Sequence, residues 1–181
     1  MAAGSYTSSM AVSDFNGDGR PDIALTAPDG ATQVLLQQSG GAFQTATIAS
    51  GGYGIVAKDF NGDSKPDLVV AAGSSNSILF AAGNGNGTFQ NPVTIATGLP
   101  SYSVDAGDLN GDGKLDLVSA SGLASTSHPS GFVTVLLGNG NGTFQSPKTV
   151  SGFANPIDAK LADLNGDGKL DMVVVNGGHA G

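Results

Sequence analysis

Twelve of the fifteen acidic side chains fall in one nine-residue string that occurs four times. It reads Asp14-Phe-Asn-Gly-Asp-Gly-Arg-Pro-Asp22, then Asp59-Phe-Asn-Gly-Asp-Ser-Lys-Pro-Asp67. It recurs as Asp108-Leu-Asn-Gly-Asp-Gly-Lys-Leu-Asp116 and Asp163-Leu-Asn-Gly-Asp-Gly-Lys-Leu-Asp171, with successive starts 45, 49 and 55 residues apart. Positions one, five and nine are carboxylates: Asp14, Asp18 and Asp22, then Asp59, Asp63 and Asp67, then Asp108, Asp112 and Asp116, then Asp163, Asp167 and Asp171. Position three is a carboxamide (Asn16, Asn61, Asn110, Asn165). These are hard oxygen donors, the kind that suits calcium. Position seven (Arg20, Lys65, Lys114, Lys169) offers only its backbone carbonyl and is expected to point its side chain away. Glycine at position four, and at six in three copies, lets the main chain wrap tightly. Without a cation, three carboxylates in so short a loop repel one another, so about four calcium ions per chain are expected. An Asn-Gly hairpin with incidental aspartates would account for one copy, not for four. A helix-loop-helix calcium motif needs an acidic group at position twelve, where this chain has Leu25, Val70, Ser119 and Val174.

The elements that must hold these loops are short strands. All fifteen acidic residues are Asp and none is Glu, and there are 29 glycines, which together point to many tight turns. Runs such as Ile23–Ala27, Leu68–Ala72, Leu117–Ala120 and Met172–Val175 follow the strings and are too short for helices. A third run (Gln33–Leu36, Ser77–Phe80, Phe132–Leu137) leads into a Gly/Asn turn, Gly83–Phe89 and Gly138–Phe144, which is shortened to Ser39–Phe43 in the first unit. A fourth run, as in Pro92–Ala96, completes each unit. Four antiparallel strands in a repeat of this length is the size of a propeller blade. The chain therefore reads as all-β and one domain over residues 1–181. Its blades fall at about 5–50, 51–99 and 100–154, with a half blade at 155–181. Position two (Phe15, Phe60, Leu109, Leu164) and position ten (Ile23, Leu68, Leu117, Met172) are apolar every time, as expected of anchors between blades. Phe43, Phe89 and Phe144 read as further core anchors.

The strings and the Gly-Asn-Gly-Thr-Phe turns resemble FG-GAP/VCBS repeats, the units of integrin-α-like β-propellers and of many secreted proteins. The resemblance covers nearly the whole chain. It implies that each loop joins the first two strands of a blade and binds calcium through positions one, three, five, seven and nine. It also implies an extracellular setting and a protein or glycan ligand. Ser64 departs from the glycine preferred at position six, so the second loop is expected to bind weakest if that position needs a positive φ.

The formal charge of −8 and a pI near 4.2 argue against nucleic acid as a partner. No apolar run reaches the ~18 residues of a membrane span. Without Cys or Glu, and with only His128 and His179, no nucleophile–base arrangement is visible, so an enzyme is not expected. Both histidines read as solvated loop residues. Asn86-Gly-Thr88 and Asn141-Gly-Thr143 match the glycosylation acceptor pattern, but they also belong to the recurring turn. Propellers close with about 4–8 blades, so three and a half blades imply self-association or the remainder of a larger propeller. The leading expectation is a recognition or adhesion module. The alternative is a structural subunit that forms dimers or filaments by sharing strands at its incomplete end, Met172–Val175.

Overall fold

The computed structural model describes residues 7–122 and 131–177; His128 and His179 lie outside the described residues. Sheet 1 is formed by β1 (Ser9–Ser13), β2 (Asp22–Thr26), β3 (Ala31–Gln37) and β4 (Phe43–Ser50). Sheet 2 comprises β5 (Ile55–Lys58), β6 (Asp67–Ala71), β7 (Ser77–Ala81) and β8 (Val93–Ala96). In sheet 3 the strands are β9 (Asp105–Gly107), β10 (Asp116–Ser121), β11 (Gly131–Leu136) and β12 (Lys148–Phe153). Sheet 4 has two strands, β13 (Pro156–Ala162) and β14 (Asp171–Asn176). Within each sheet the strands follow chain order and pair antiparallel, and no helix occurs among the described residues. The protein is all-β and propeller-like.

Strand alternation decides how the sheets stack. In β2, Ala24 and Thr26 face one way and are buried, while Ile23 and Leu25 face the other and are only half-buried. In β6 and β10 every position is buried, because sheets 2 and 3 are covered on both faces. That is why residues 68–71 of β6 read as a continuous rather than an alternating apolar run.

Three apolar clusters fill the spaces between consecutive sheets. Phe15, Ala24 and Val34 of the first unit meet Ile55, Leu68, Val70 and Ala81 of the second. Phe60, Val69, Ala71, Ile78 and Phe80 of the second meet Val104, Ala106, Leu117 and Leu136 of the third. Val118, Ala120 and Val133 of the third meet Ala159, with Leu161, Met172 and Val174 packed alongside. Leu68 and Leu117 are fully buried; truncating either to Ala would cost about 2–5 kcal/mol.

A clasp repeats across two of these joints. Gly87 N–H donates to the Phe15 carbonyl at 2.8 Å, and the Phe89 ring meets Phe15 edge-on at 5.6 Å. One unit on, Gly142 N–H donates to the Phe60 carbonyl at 3.0 Å, and Phe144 meets Phe60 at 6.1 Å. The Gly-Asn-Gly-Thr-Phe turn of one unit thus grips the Asp-rich loop of the unit before it. Phe43, the equivalent residue of the first unit, is exposed rather than a core anchor, because no loop lies in front of it among the described residues. Leu164 likewise corrects the expectation for position two: it is exposed, with no turn against it among the described residues.

Candidate functional site

Each Asp-rich string forms the connection from the first to the second strand of its sheet. Position one curls the loop around itself. Asp14 Oδ1 accepts from the N–H groups of Gly17 (2.7 Å) and Asp18 (3.1 Å), and Oδ2 accepts from Gly19 (2.7 Å). The same three bonds recur on Asp59, Asp108 and Asp163. Donation from the position-six N–H, followed by the N–H groups of positions four and five, holds Asp14, Asp108 and Asp163 below their ordinary carboxylate value of 3.8. Asn16, Asn61, Asn110 and Asn165 each accept from the position-five N–H through their amide oxygens.

Positions four and six have positive φ in every loop. Ser64 therefore sits at φ +64°, where the other three loops place Gly19, Gly113 and Gly168 at +79° to +82°. A side chain there carries the strain that glycine avoids.

Position nine is a structural pivot. Asp22, Asp67 and Asp116 are fully buried. One oxygen of each accepts from the position-two N–H: Phe15 at 2.9 Å, Phe60 at 3.0 Å and Leu109 at 2.9 Å. The other accepts from the end of the third strand or the turn beyond it, through Gln37, Gly83 and Gly138 at 2.7–2.8 Å. Sequence spacing made position nine a metal donor and gave no sign of this second task.

In three loops position seven does not point away. Arg20 folds back to pair with Asp18, Lys65 lies 3.3 Å from Asp63, and Lys114 lies 3.6 Å from Asp112. The carboxylate at position five attracts the nearest cation on its own loop.

As the loops stand, no three acidic or histidine side chains among the described residues are gathered closely enough to hold an ion. Two of the five donors in each string are an amide and a main-chain oxygen, and in the first three loops the position-five carboxylate faces the position-seven cation instead. The donor set otherwise fits a hard divalent cation. Burial raises the Asp67 carboxyl above its ordinary value; the Gly83 and Phe60 N–H groups oppose the rise, and the Asp63 and Asp59 carboxylates add to it. A carboxylate that accepts from one N–H per oxygen also keeps lone pairs free for a metal.

A second feature lies at the opposite ends of the same first strands. Ser8, Ser9, Tyr53, Gly54, Tyr102 and Ser103, together with Ile157, Asp158 and Lys160 from the fourth unit, line a cavity of about 250 Å³. All four units contribute, because β1, β5, β9 and β13 are successive neighbours around it. Tyr53 and Tyr102 meet edge-on at 5.0 Å, and Lys160 pairs with Asp158 at 3.5 Å. Burial, and then the proximity of Tyr53, raise the Tyr102 hydroxyl above its ordinary value. Sequence reasoning missed this cavity. The available signal was positional: Ser8, Tyr53, Tyr102 and Ile157 each stand six residues ahead of the aspartate that opens a loop.

The FG-GAP-like repeat pattern matches residues 14–70, 59–119 and 123–174. The chain belongs to the FG-GAP-like repeat family. Solved structures of the same fold include a lectin from Agrocybe aegerita, described as specifically recognising non-reducing terminal N-acetylglucosamine. It is 23% identical with a TM-score of 0.59, over 90% of this chain and 45% of the lectin. The V. cholerae biofilm matrix protein Bap1 is 22% identical with a TM-score of 0.56, over 87% of this chain and 23% of that one. This FG-GAP-like chain thus spans less than half the length of either structure. No curated protein matches it. Among the described residues no helix is long and apolar enough to cross a membrane.

Proposed function

We propose that this chain is a calcium-stabilised, extracellular recognition module of the β-propeller type, without catalytic activity, that binds glycans in its axial cavity. The observation that carries this reading is the cavity itself. Two tyrosine rings, a row of serine hydroxyls and an Asp–Lys pair surround a space of about 250 Å³. Aromatic faces for stacking beside hydroxyl and charged hydrogen-bonding groups are the chemistry a sugar ring needs. The lectin of the same fold supports a glycan ligand, and the biofilm matrix protein supports an extracellular setting.

Calcium would be held by positions one, three, five, seven and nine of each loop. Those are Asp14, Asn16, Asp18, the Arg20 carbonyl and Asp22, and the equivalent residues of the other three. When bound it supplies positive charge that cancels the crowded carboxylates and ties the first strand to the second. The cavity lies at the far ends of those strands, so calcium would set the rigidity of the cavity wall without touching the ligand.

A glycan array in millimolar calcium that includes N-acetylglucosamine-terminated chains tests the reading. Binding is expected to fall at least ~10-fold in Tyr102→Ala and in Lys160→Ala. No bound glycan, or binding that survives both substitutions, would overturn it.

A second reading, a structural subunit that assembles by strand addition, is favoured by one observation. β14 pairs only with β13 among the described residues, which leaves its other edge free to accept a strand.

A further inference from the structure

The two ends of the sheet stack carry the two halves of one interface. Inside the chain that interface is built three times, always from the same repeat positions. The residues four and two before each loop, and those one and three after it, face the preceding sheet. In the second unit these are Ile55, Ala57, Leu68 and Val70; in the third, Val104, Ala106, Leu117 and Ser119; in the fourth, Ala159, Leu161, Met172 and Val174. The residues two and four after each loop, with position two of the loop, face the following sheet. Here the sets are Phe15, Ala24 and Thr26, then Phe60, Val69 and Ala71, then Leu109, Val118 and Ala120.

Both halves recur at the two ends with no sheet against them among the described residues. The forward set of the first unit is Met10, Val12, Ile23 and Leu25, of which Met10 is 64% and Val12 59% exposed. In register beside Ile23 lies Leu35, where the second unit has the buried Ala81. The rearward set of the fourth unit is Leu164, Val173 and Val175, exposed by 64%, 40% and 48%. Five of the ten large apolar side chains exposed among the described residues therefore occupy positions that are buried or half-buried wherever a neighbouring sheet exists. Such a surface marks an interaction site.

We propose that these two faces bind each other between copies of this chain, head to tail. The rear of sheet 4 in one copy seats on the front of sheet 1 in the next. The repeat equivalence also names a central contact. Phe43 stands where Phe89 packs on Phe15 and Phe144 packs on Phe60, so Phe43 of one copy meets Leu164 of the other. A second copy is the occupant because one chain presents both complementary halves, equivalent to those that pack at the three internal joints. The contact is heterologous: it uses different surfaces on the two partners, and it either closes a ring or propagates. It does not involve the free edge of β14, and it does not depend on a glycan in the cavity.

The test is sedimentation velocity on the full chain in millimolar calcium, across a range of concentrations. Wild type is expected to associate as concentration rises. Val12→Asp, which blocks the front, and Leu164→Asp, which blocks the rear, should each weaken association by ~100-fold, because each buries an unpaired charge. Both positions are exposed within one chain, so unchanged melting curves for the isolated variants are expected. Mixing the two variants restores one good interface, the rear of the Val12→Asp chain on the front of the Leu164→Asp chain, and gives a species that stops at two copies. A wild-type chain that stays monomeric at every concentration would overturn the proposal, and the faces would then belong to a further repeat joined covalently. Association that survives both variants, as pairing through the β14 edge would, also overturns it. So does loss of association that the mixture fails to restore.

Discussion

Within the third loop, Asp116 is buried with both oxygens bonded to main-chain N–H groups, whereas Asp112 is exposed and faces Lys114. Replacing Asp116 with Ala strands the N–H groups of Leu109 and Gly138. The expected loss is about 2–4 kcal/mol in chelator, and in calcium the stabilisation of one ion, ~1.4 kcal/mol at tenfold excess over Kd, is lost as well. Replacing Asp112 with Ala should cost under ~0.5 kcal/mol in chelator. In calcium it should remove the stabilisation of one ion, ~1.4 kcal/mol at tenfold excess over Kd. Urea unfolding with and without chelator separates the two; equal losses in chelator would mean that position nine has no structural task of its own. At Ser64 the backbone already occupies the left-handed region. Ser64→Gly is therefore expected to stabilise by ~1 kcal/mol, read as a rise in melting temperature.

At the scale of elements, the loops and most strands were legible because both leave local marks: donor spacing for the loops and short β-forming runs for the strands. The clasp was legible only as a recurring turn. That Gly142 donates to Phe60 in the preceding unit depends on which units become neighbours, and no local pattern carries that information. Exposure at Phe43 and Leu164 escaped the sequence for the same reason. Periodicity shows which face of a strand is apolar, not whether anything lies against it. Position seven was misjudged because the attraction between Lys114 and Asp112 acts through space, within a loop whose curl is set by Asp108. The clasp itself is open to test through Gly142, which has φ +78°, and a Cβ there would lie 2.9 Å from the Phe80 ring. Gly142→Ala should cost about 2–4 kcal/mol through strain and displacement of the turn. Gly98→Ala, at φ +75° with nothing within 4 Å, should cost only ~1 kcal/mol. Equal melting temperatures for the two variants would mean that the clasp contributes nothing.

For the whole molecule, four divalent ions would cancel the formal charge of −8. Extracellular calcium modules bind at about 10⁻⁴–10⁻³ M. At tenfold excess four independent sites would add ~5–6 kcal/mol, comparable with the entire stability of a small domain. Chelation is accordingly expected to lower the melting temperature by well over ~10 °C. Coincident melts in millimolar calcium and in chelator would show that the loops bind no ion that matters to folding. Native mass spectrometry should count four ions per chain.

The clasp also sets an order of filling. Loops one and two are each gripped from outside, through Phe15 and Phe60, by the turn of the following unit. Loops three and four have no such turn against them among the described residues. A loop already held in shape loses less freedom when it closes on an ion. Calcium titration should therefore be biphasic, with the first two loops saturating ahead of the last two despite the strain at Ser64. Each gripped loop would also stiffen its neighbour as it fills, so the ions would act less as four separate rivets than as a zipper drawn from the first unit toward the fourth.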